Sequence, residues 1–553
     1  MKLLCTLSCG LLLLGPACAA VVGPTPGTTV DGTQPATVME VNPVGIGHVN
    51  LVPYFSTRSG FDTYVNVVNT DTRNGKAVKV RFRSAVNGED VGNFTVLLGP
   101  GDVWAAALTR DAATGYTRVA YADRSCTLPS SVAVTLGPSY TPVAGSQQVD
   151  VTRTQEGSVE IIAMADIPRL DAGGQVSPLF SAITVSGSAA APVCSPAVMS
   201  ALAVDSSGYA DARSKGLEVP TSGLMTEWTL INVPRAVSYT SRATAVEARV
   251  STGGAPGYGN VVLSPQTMVR ITDTARAASY TTNPNIRNIP PGPAFGYFEN
   301  ELPDLSTPYM PAGLAALPAG AAARRQAHAI TKALATASIG SHFVTEPGIL
   351  AKTDWVLTLP TRYLQVGYIP PTAMGSLGGP RVISLTTDDN GAPTGPGVTN
   401  YFEETPGNVK SDFVIDPVCV TGVDPYTPGS PATTQPQSET TWRTREGSAV
   451  TMTPQSANGS PLPFELCGHS MILRFAKPGD DPSVGVLGDA RNRRQLISNA
   501  TAGWGRIQTP GLAGVGLPII GFAVSELFNS AVAPGFAGVF GLSYPLSTTK
   551  SAP

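Results

Sequence analysis

Apolar and polar positions alternate over most of the chain, and the alternation is densest near the N-terminus. "HVNLVPYFST", "FDTYVNVVNT", "KAVKVRFRS", "NFTVLLG" and "DVWAAALT" follow one another between residues 48 and 109. A period of two places successive side chains on opposite faces of a strand. Phe61, Thr63, Val65 and Val67 therefore share one face, and Val78, Val80 and Phe82 share another. Lys79, Arg81 and Arg83 fall on the opposite side of their strand, where the pattern predicts solvent. Asn74-Gly75 between the second and third runs is a hairpin signal, because both residues tolerate positive φ. Strands this short, separated by tight turns, predict an antiparallel sandwich.

Further runs with strand character lie at 157–165, 226–234, 243–250, 259–266, 353–368, 411–416, 469–476, 503–509 and 518–528. One stretch breaks the pattern. Residues 319–338 are alanine-rich, with Ile330 and Leu334 at helical spacing, and predict a helix. The expected fold is mainly β: antiparallel β-sandwich-like domains with one alanine-rich helix and long Pro/Gly loops. The expected order is a signal peptide at 1–19, a Pro/Gly/Thr-rich tether at 20–45, an N-terminal β-sandwich region at 46–318, the helix at 319–338 and a C-terminal β region at 339–553. Short echoes such as Thr226-Glu227-Trp228 and Thr353-Asp354-Trp355 are compatible with duplication or with chance. No longer period marks a solenoid.

Composition narrows the function classes. Charged residues are 14% of the chain and the net charge is −3, with no basic block. Neutralising nucleic-acid phosphates takes clustered Lys and Arg, so nucleic acid is not an expected partner. The first residues read as an export signal: Lys2, an apolar stretch from Leu3 to Leu14, and the small-residue site Ala17-Cys18-Ala19, with cleavage near Ala19. A lipid-modified Cys18 is a competing reading, weakened by Gly15 standing where lipoprotein signals usually carry Leu. No segment outside the signal approaches the ~18 consecutive apolar residues of a membrane helix.

Removal of the signal leaves Cys126, Cys194, Cys419 and Cys467. An even number in an exported chain points to two disulfides. Of three pairings, Cys126–Cys194 and Cys419–Cys467 join sequence neighbours, and each would contribute roughly 4 kcal/mol by restricting the unfolded chain. The spacings lack the Cys-x-x-Cys pairs of zinc sites.

Catalytic patterns are sparse. His48, His328, His342 and His469 are not spaced as metal ligands. "GHSMI" at 468–472 has part of a hydrolase elbow in Gly468 and Ser470, but Ile472 replaces the closing glycine. The acid pairs Glu299/Glu301 and Glu403/Glu404 have the residue type of a glycosidase but no readable separation. Asp388 and Asp389, and Asp480, Asp481 and Asp489, sit near glycines and are weak calcium candidates, and no other cofactor is expected. Trp104, Trp228, Trp355, Trp442 and Trp504 are core residues or sugar-stacking platforms, depending on exposure.

The block "VPYFSTRSGFDTYVNVVNTDTRNGKAVKVRFRSAVNGEDVGNFTVLLGPGDVWAA", with "SCTLP", "TEWTLINVP", "TDWVLTLPTR" and "GLPIIGFA", resembles secreted cell-surface proteins of Gram-negative bacteria. The make-up also resembles surface-layer proteins. The resemblance implies a location and offers no catalytic residues. The expectation is an exported structural protein of the bacterial surface, a surface-layer or matrix component, and not an enzyme. An adhesin or carbohydrate-binding module is the alternative, and a secreted hydrolase a third reading. Self-assembly, and contact with lipopolysaccharide or a surface glycan, are the expected partnerships. Lys79, Arg81 and Arg83 are the candidate contact for an anionic surface.

Overall fold

A computed structural model describes residues 20–25, 27–86, 88–130, 133–137, 151–185, 191–203, 206–263, 295–296, 321–369, 381–384, 419–420, 441–450, 452–455, 466–481, 485–509, 515–533 and 536–550. The fold is mainly β, with several antiparallel sheets. Two seven-stranded sheets form the sandwich. The first has the order Cys126–Leu128, Asp90–Leu98, Gly75–Ser84, Glu156–Ile167, Val49–Ser56, Thr244–Arg249 and Val38–Val41. The second runs Ala133–Thr135, Thr117–Ala120, Val103–Arg110, Phe61–Asn69, Leu224–Asn232 and Val237–Arg242, with Ile46–Gly47 paired beside this path. Between them lies a core of alternate residues, as the pattern requires: Phe61, Val65 and Val67 from one sheet meet Val78, Val80 and Phe82 from the other. Phe94 packs on Trp104 with ring centroids 5.6 Å apart.

The Asn74-Gly75 hairpin is a correction. Strands Phe61–Asn69 and Gly75–Ser84 lie in opposite sheets and are not paired with each other. Asp71 builds the crossing instead, its Oδ1 accepting from the amides of Arg73 and Asn74 at 2.8 and 3.2 Å. A Cβ at Gly75 would stand 2.5 Å from Ile183 Cδ1, so this glycine serves close packing.

Two more sheets follow. A six-stranded sheet contains Thr453–Gln455, Arg493–Ile497, Ser470–Ala476, Lys352–Thr358, Ile520–Ala533 and Phe536–Pro545. A five-stranded sheet is built on Ala335–Val344, flanked by Ala502–Gln508 and then Thr441–Thr444 on one side and by Leu517–Pro518 and Ser547–Lys550 on the other. The alanine-rich helix spans Ala321–Leu334 and passes directly into the strand Ala335–Val344, where Ile339 and Phe343 turn inward. The helix ends four residues before the sequence pattern suggests, because the alternation in "ATASIGSHFV" is of strand type. Ala327, Ile330, Ala333 and Leu334 pack with Val49, Leu51 and Ile162 of the first sandwich sheet. Three short helices, Pro178–Ile183, Pro196–Ala201 and Tyr209–Ser214, cover another part of the same face. The first sheet is therefore buried on both sides.

Residues 20–45 are not a free tether. Ala20–Val22 pairs with Val261–Leu263, and Val38–Val41 forms an edge of the first sheet against Val246–Arg249. Residues on either side of the helix also share one core: Val356, Ile472, Phe522 and Val524 pack with the sandwich, and Phe522 lies 4.5 Å from the Trp228 ring.

Candidate functional site: a buried charge network and an exposed aromatic groove

The basic residues of strand Gly75–Ser84 alternate as the sequence predicts, but the face they occupy is interior. Lys79 and Arg83 are fully buried and Arg81 nearly so. This corrects the expected solvent-facing contact for an anionic surface. The cause lies in the neighbouring strand, where Glu160 is the register partner of Arg81. Its Oε2 stands 3.1 Å from Arg83 Nε and 3.6 Å from Arg81 Nη1. Asp90 lies 3.4 Å from Arg81 Nε. Lys79 donates to Asn93 Oδ1 at 3.1 Å. Tyr363 closes the group: its hydroxyl accepts from Arg83 Nη2 at 2.7 Å and donates to Glu160 Oε1 at 3.0 Å.

Titration here is governed first by burial and then by the neighbouring guanidinium groups. Burial, with Arg81 adding repulsion, brings Lys79 down to about 7. Burial, then Arg83 and Arg362, push His469 down to about 3. His469 Nε2 lies 2.7 Å from Ser158 Oγ, and Ser470 Oγ instead accepts from Thr358 Oγ1 at 2.9 Å. The "GHSMI" stretch thus joins two parts of the chain, with Ser470 and His469 engaged on different partners. Gly468 has φ 72°, and a Cβ there would approach Ala85 O to 2.8 Å, so only glycine lets this turn press against residues 85–86. A second buried pair, Asp354 and Arg474, sits in register across adjacent strands at 3.6 Å.

The disulfide Cys126–Cys194 forms as expected, beside Ala182 and Leu128. Cys467 is also disulfide-bonded, and its backbone pairs in register with that of Cys419, the expected partner. Of the calcium candidates, Asp480 and Asp489 are each engaged on other partners. Asp480 Oδ2 accepts from the Lys477 amide at 2.6 Å, and Asp489 pairs with Arg58 at 3.2 Å and with Arg493. Asp388, Asp389, Glu299, Glu301, Glu403 and Glu404 lie outside the described residues, as do the signal segment 1–19 and the expected strand 411–416. Among the described residues, no three His, Cys, Asp or Glu side chains are arranged around a metal position. His48 is a core residue, with Nδ1 accepting from the Ala248 amide at 3.1 Å, and His328 is buried in the helix.

Trp104, Trp228, Trp355 and Trp442 are buried, whereas Trp504 is 44% exposed. Trp504 stands on the outer face of the five-stranded sheet, in register with His342 on one side and Arg443 on the other. The flanking glycines explain this orientation. A Cβ at Gly505 would fall 1.9 Å from the Trp442 ring, and one at Gly503 would fall 3.0 Å from Phe343. The inner side chains therefore lie flat on bare backbone, and the strand presents its indole outward. His342, Trp504, Arg506, Tyr544 and Ser547 line a groove of about 410 Å³. The His342 and Tyr544 rings meet edge to face at 4.3 Å, and burial lowers the His342 pKa. Sequence reasoning named Trp504 without separating it from the other tryptophans. The "GWG" context was the available signal, since alternate glycines mark one face of a strand as crowded.

No family model, no curated protein and no solved structure matches this chain.

Proposed function

We propose that the protein is an exported structural component of the bacterial cell surface, working as a rigid β-walled body rather than through turnover. The observation that carries this reading is the Cys126–Cys194 disulfide within a sandwich whose central sheet is covered on both faces. Disulfides persist in oxidising, extracytoplasmic compartments. Charges that the sequence pattern assigns to solvent are turned inward instead, where Arg83 joins the Gly75–Ser84 strand to Tyr363. The low share of charged residues, the export-type N-terminus and the resemblance to secreted surface proteins point the same way.

Electron microscopy of cells with and without the gene tests the reading, together with immunogold labelling of the protein. A surface layer or matrix that carries the label and is lost with the gene is the expected result. Label confined to the cytoplasm, or a surface unchanged in the deletion strain, contradicts it. A glycan-binding surface protein is the second reading, favoured by the exposed indole of Trp504.

A further inference from the structure

We propose that the outer face of the five-stranded sheet binds an acidic saccharide, a uronate-bearing glycan, with the sugar ring on Trp504 and its carboxylate on Arg506 and Arg443. Strand pairing sets the geometry. Trp504 and Arg506 are two residues apart on one strand, so they share a face at about 7 Å spacing. Arg443 is the register partner of Trp504 on the neighbouring strand. On the opposite neighbour the partners are His342 and Gly340, so the face is open above Gly340, where no side chain rises between Arg506 and Ser547.

The chemistry of the face is specific. A large, half-exposed indole offers an apolar plane to the C–H face of a pyranose, while its edge remains polar. Tyr544 and His342 brace the floor beside it. Arg506 is exposed, and among the described residues no carboxylate pairs with it or with Arg443, whose Nη1 donates only to Gly447 O at 3.2 Å. By contrast, Arg445 just beyond the face is paired with Glu346 at 3.2 Å. Unpaired guanidinium groups suit a carboxylate, which they grip with parallel hydrogen bonds. Ser547 on the far rim adds a small hydroxyl of the kind that hydrogen-bonds sugar hydroxyls. An acidic peptide would engage the arginines but gains nothing from an isolated flat indole, so the saccharide is the better fit.

Saccharide binding here stands independently of a structural role, since it is measured on purified protein. The test uses sodium polygalacturonate as probe, neutral dextran and polyglutamate as comparisons, and the full chain with Trp504→Ala, Trp504→Phe and Arg506→Gln variants. Near-UV circular dichroism and the thermal midpoint confirm that each variant is folded. Polygalacturonate is expected to bind the parent at least tenfold more tightly than dextran or polyglutamate. Trp504→Ala is expected to weaken that binding at least tenfold, Trp504→Phe to retain most of it, and Arg506→Gln to weaken it and reduce its salt dependence. No binding of polygalacturonate by the folded parent, equal binding by Trp504→Ala, or equal binding of polyglutamate overturns the proposal.

Discussion

The guanidinium carbon of Arg83 lies 4.0 Å from the centroid of the Tyr363 ring, while one of its nitrogens donates to the Tyr363 hydroxyl at 2.7 Å. Two residues 280 positions apart in the chain thus share a buried cation–aromatic contact and a hydrogen bond. The same hydroxyl reaches Glu160, so sheet and covering segment are tied through one phenol. Tyr363→Phe keeps the ring and removes the bridge. It is expected to cost about 1–3 kcal/mol in urea unfolding, the range for leaving buried partners unsatisfied.

Glu160 carries more of the network than Tyr363, because it faces both Arg81 and Arg83. Glu160→Gln preserves size but withdraws the negative charge. Breaking a buried pair from one side costs roughly 3–5 kcal/mol. Chemical denaturation of Glu160→Gln should show a loss larger than that of Tyr363→Phe. A loss below that of Tyr363→Phe would mean the carboxylate is not the hub.

The buried cations predict an unusual pH profile. His469 titrates at about 3 in the folded protein against an ordinary 6.5, so the unfolded chain takes up its proton first. Stability from this group is present above pH 6.5 and is lost as pH falls toward about 3. Lys79, at about 7 against an ordinary 10.5, has the same sign in a different window, so its contribution rises between pH 7 and 10.5. Each proton adds a slope of up to about 1.4 kcal/mol per pH unit. Buried Glu156, Asp166 and Asp354 are raised and oppose the acid trend, and His48, also at about 3, reinforces it. Differences from the parent isolate each group. His469→Gln should flatten the acid limb, and Lys79→Met the alkaline limb, of stability measured by denaturant titration across pH.

The disulfides give a separate expectation. Cys126 and Cys194 close a loop of 68 residues, for which chain entropy gives about 4 kcal/mol. The Cys126→Ser/Cys194→Ser double variant should lose about 2–5 kcal/mol in urea. Non-reducing peptide mapping should recover Cys126 with Cys194 and Cys419 with Cys467. A crossed pair such as Cys126 with Cys419 would contradict the register.

Much of the fold was legible because period-two alternation is a local property. Phe61, Val65, Val67, Val78, Val80 and Phe82 all point into the core that the pattern assigns them. The environment of the opposite face was not legible, because it depends on segments far along the chain. Lys79, Arg81 and Arg83 read as a solvated face, yet all three are buried, with Tyr363 packed on Arg83. Their partner left a faint trace, since Glu160 is a lone acid in the apolar run "GSVEIIAMA". Asp354 in "TDWVLT" and Arg474 in "HSMILRFA" carry the same mark. The Asn74-Gly75 turn misled for a different reason: Asp71 caps a longer crossing, and turn chemistry does not specify which sheet the next strand joins. In the groove, the aromatic was visible in sequence, but the choice among five tryptophans rested on Gly503 and Gly505 meeting Phe343 and Trp442.

The central claim is a surface-located body whose basic strand faces inward, and lysine labelling of intact cells tests both parts at once. Lys76 and Lys79 are fully buried, with Lys76 held by Asp166 at 2.6 Å, whereas Lys332 is exposed on the helix. A membrane-impermeant amine reagent is applied to intact cells, and labelled peptides are quantified with and without prior denaturation. Lys332 should be modified on intact cells, while Lys76 and Lys79 should react only after the protein is unfolded. Modification of Lys79 in the native protein, or protection of Lys332 until the cells are lysed, would contradict the account.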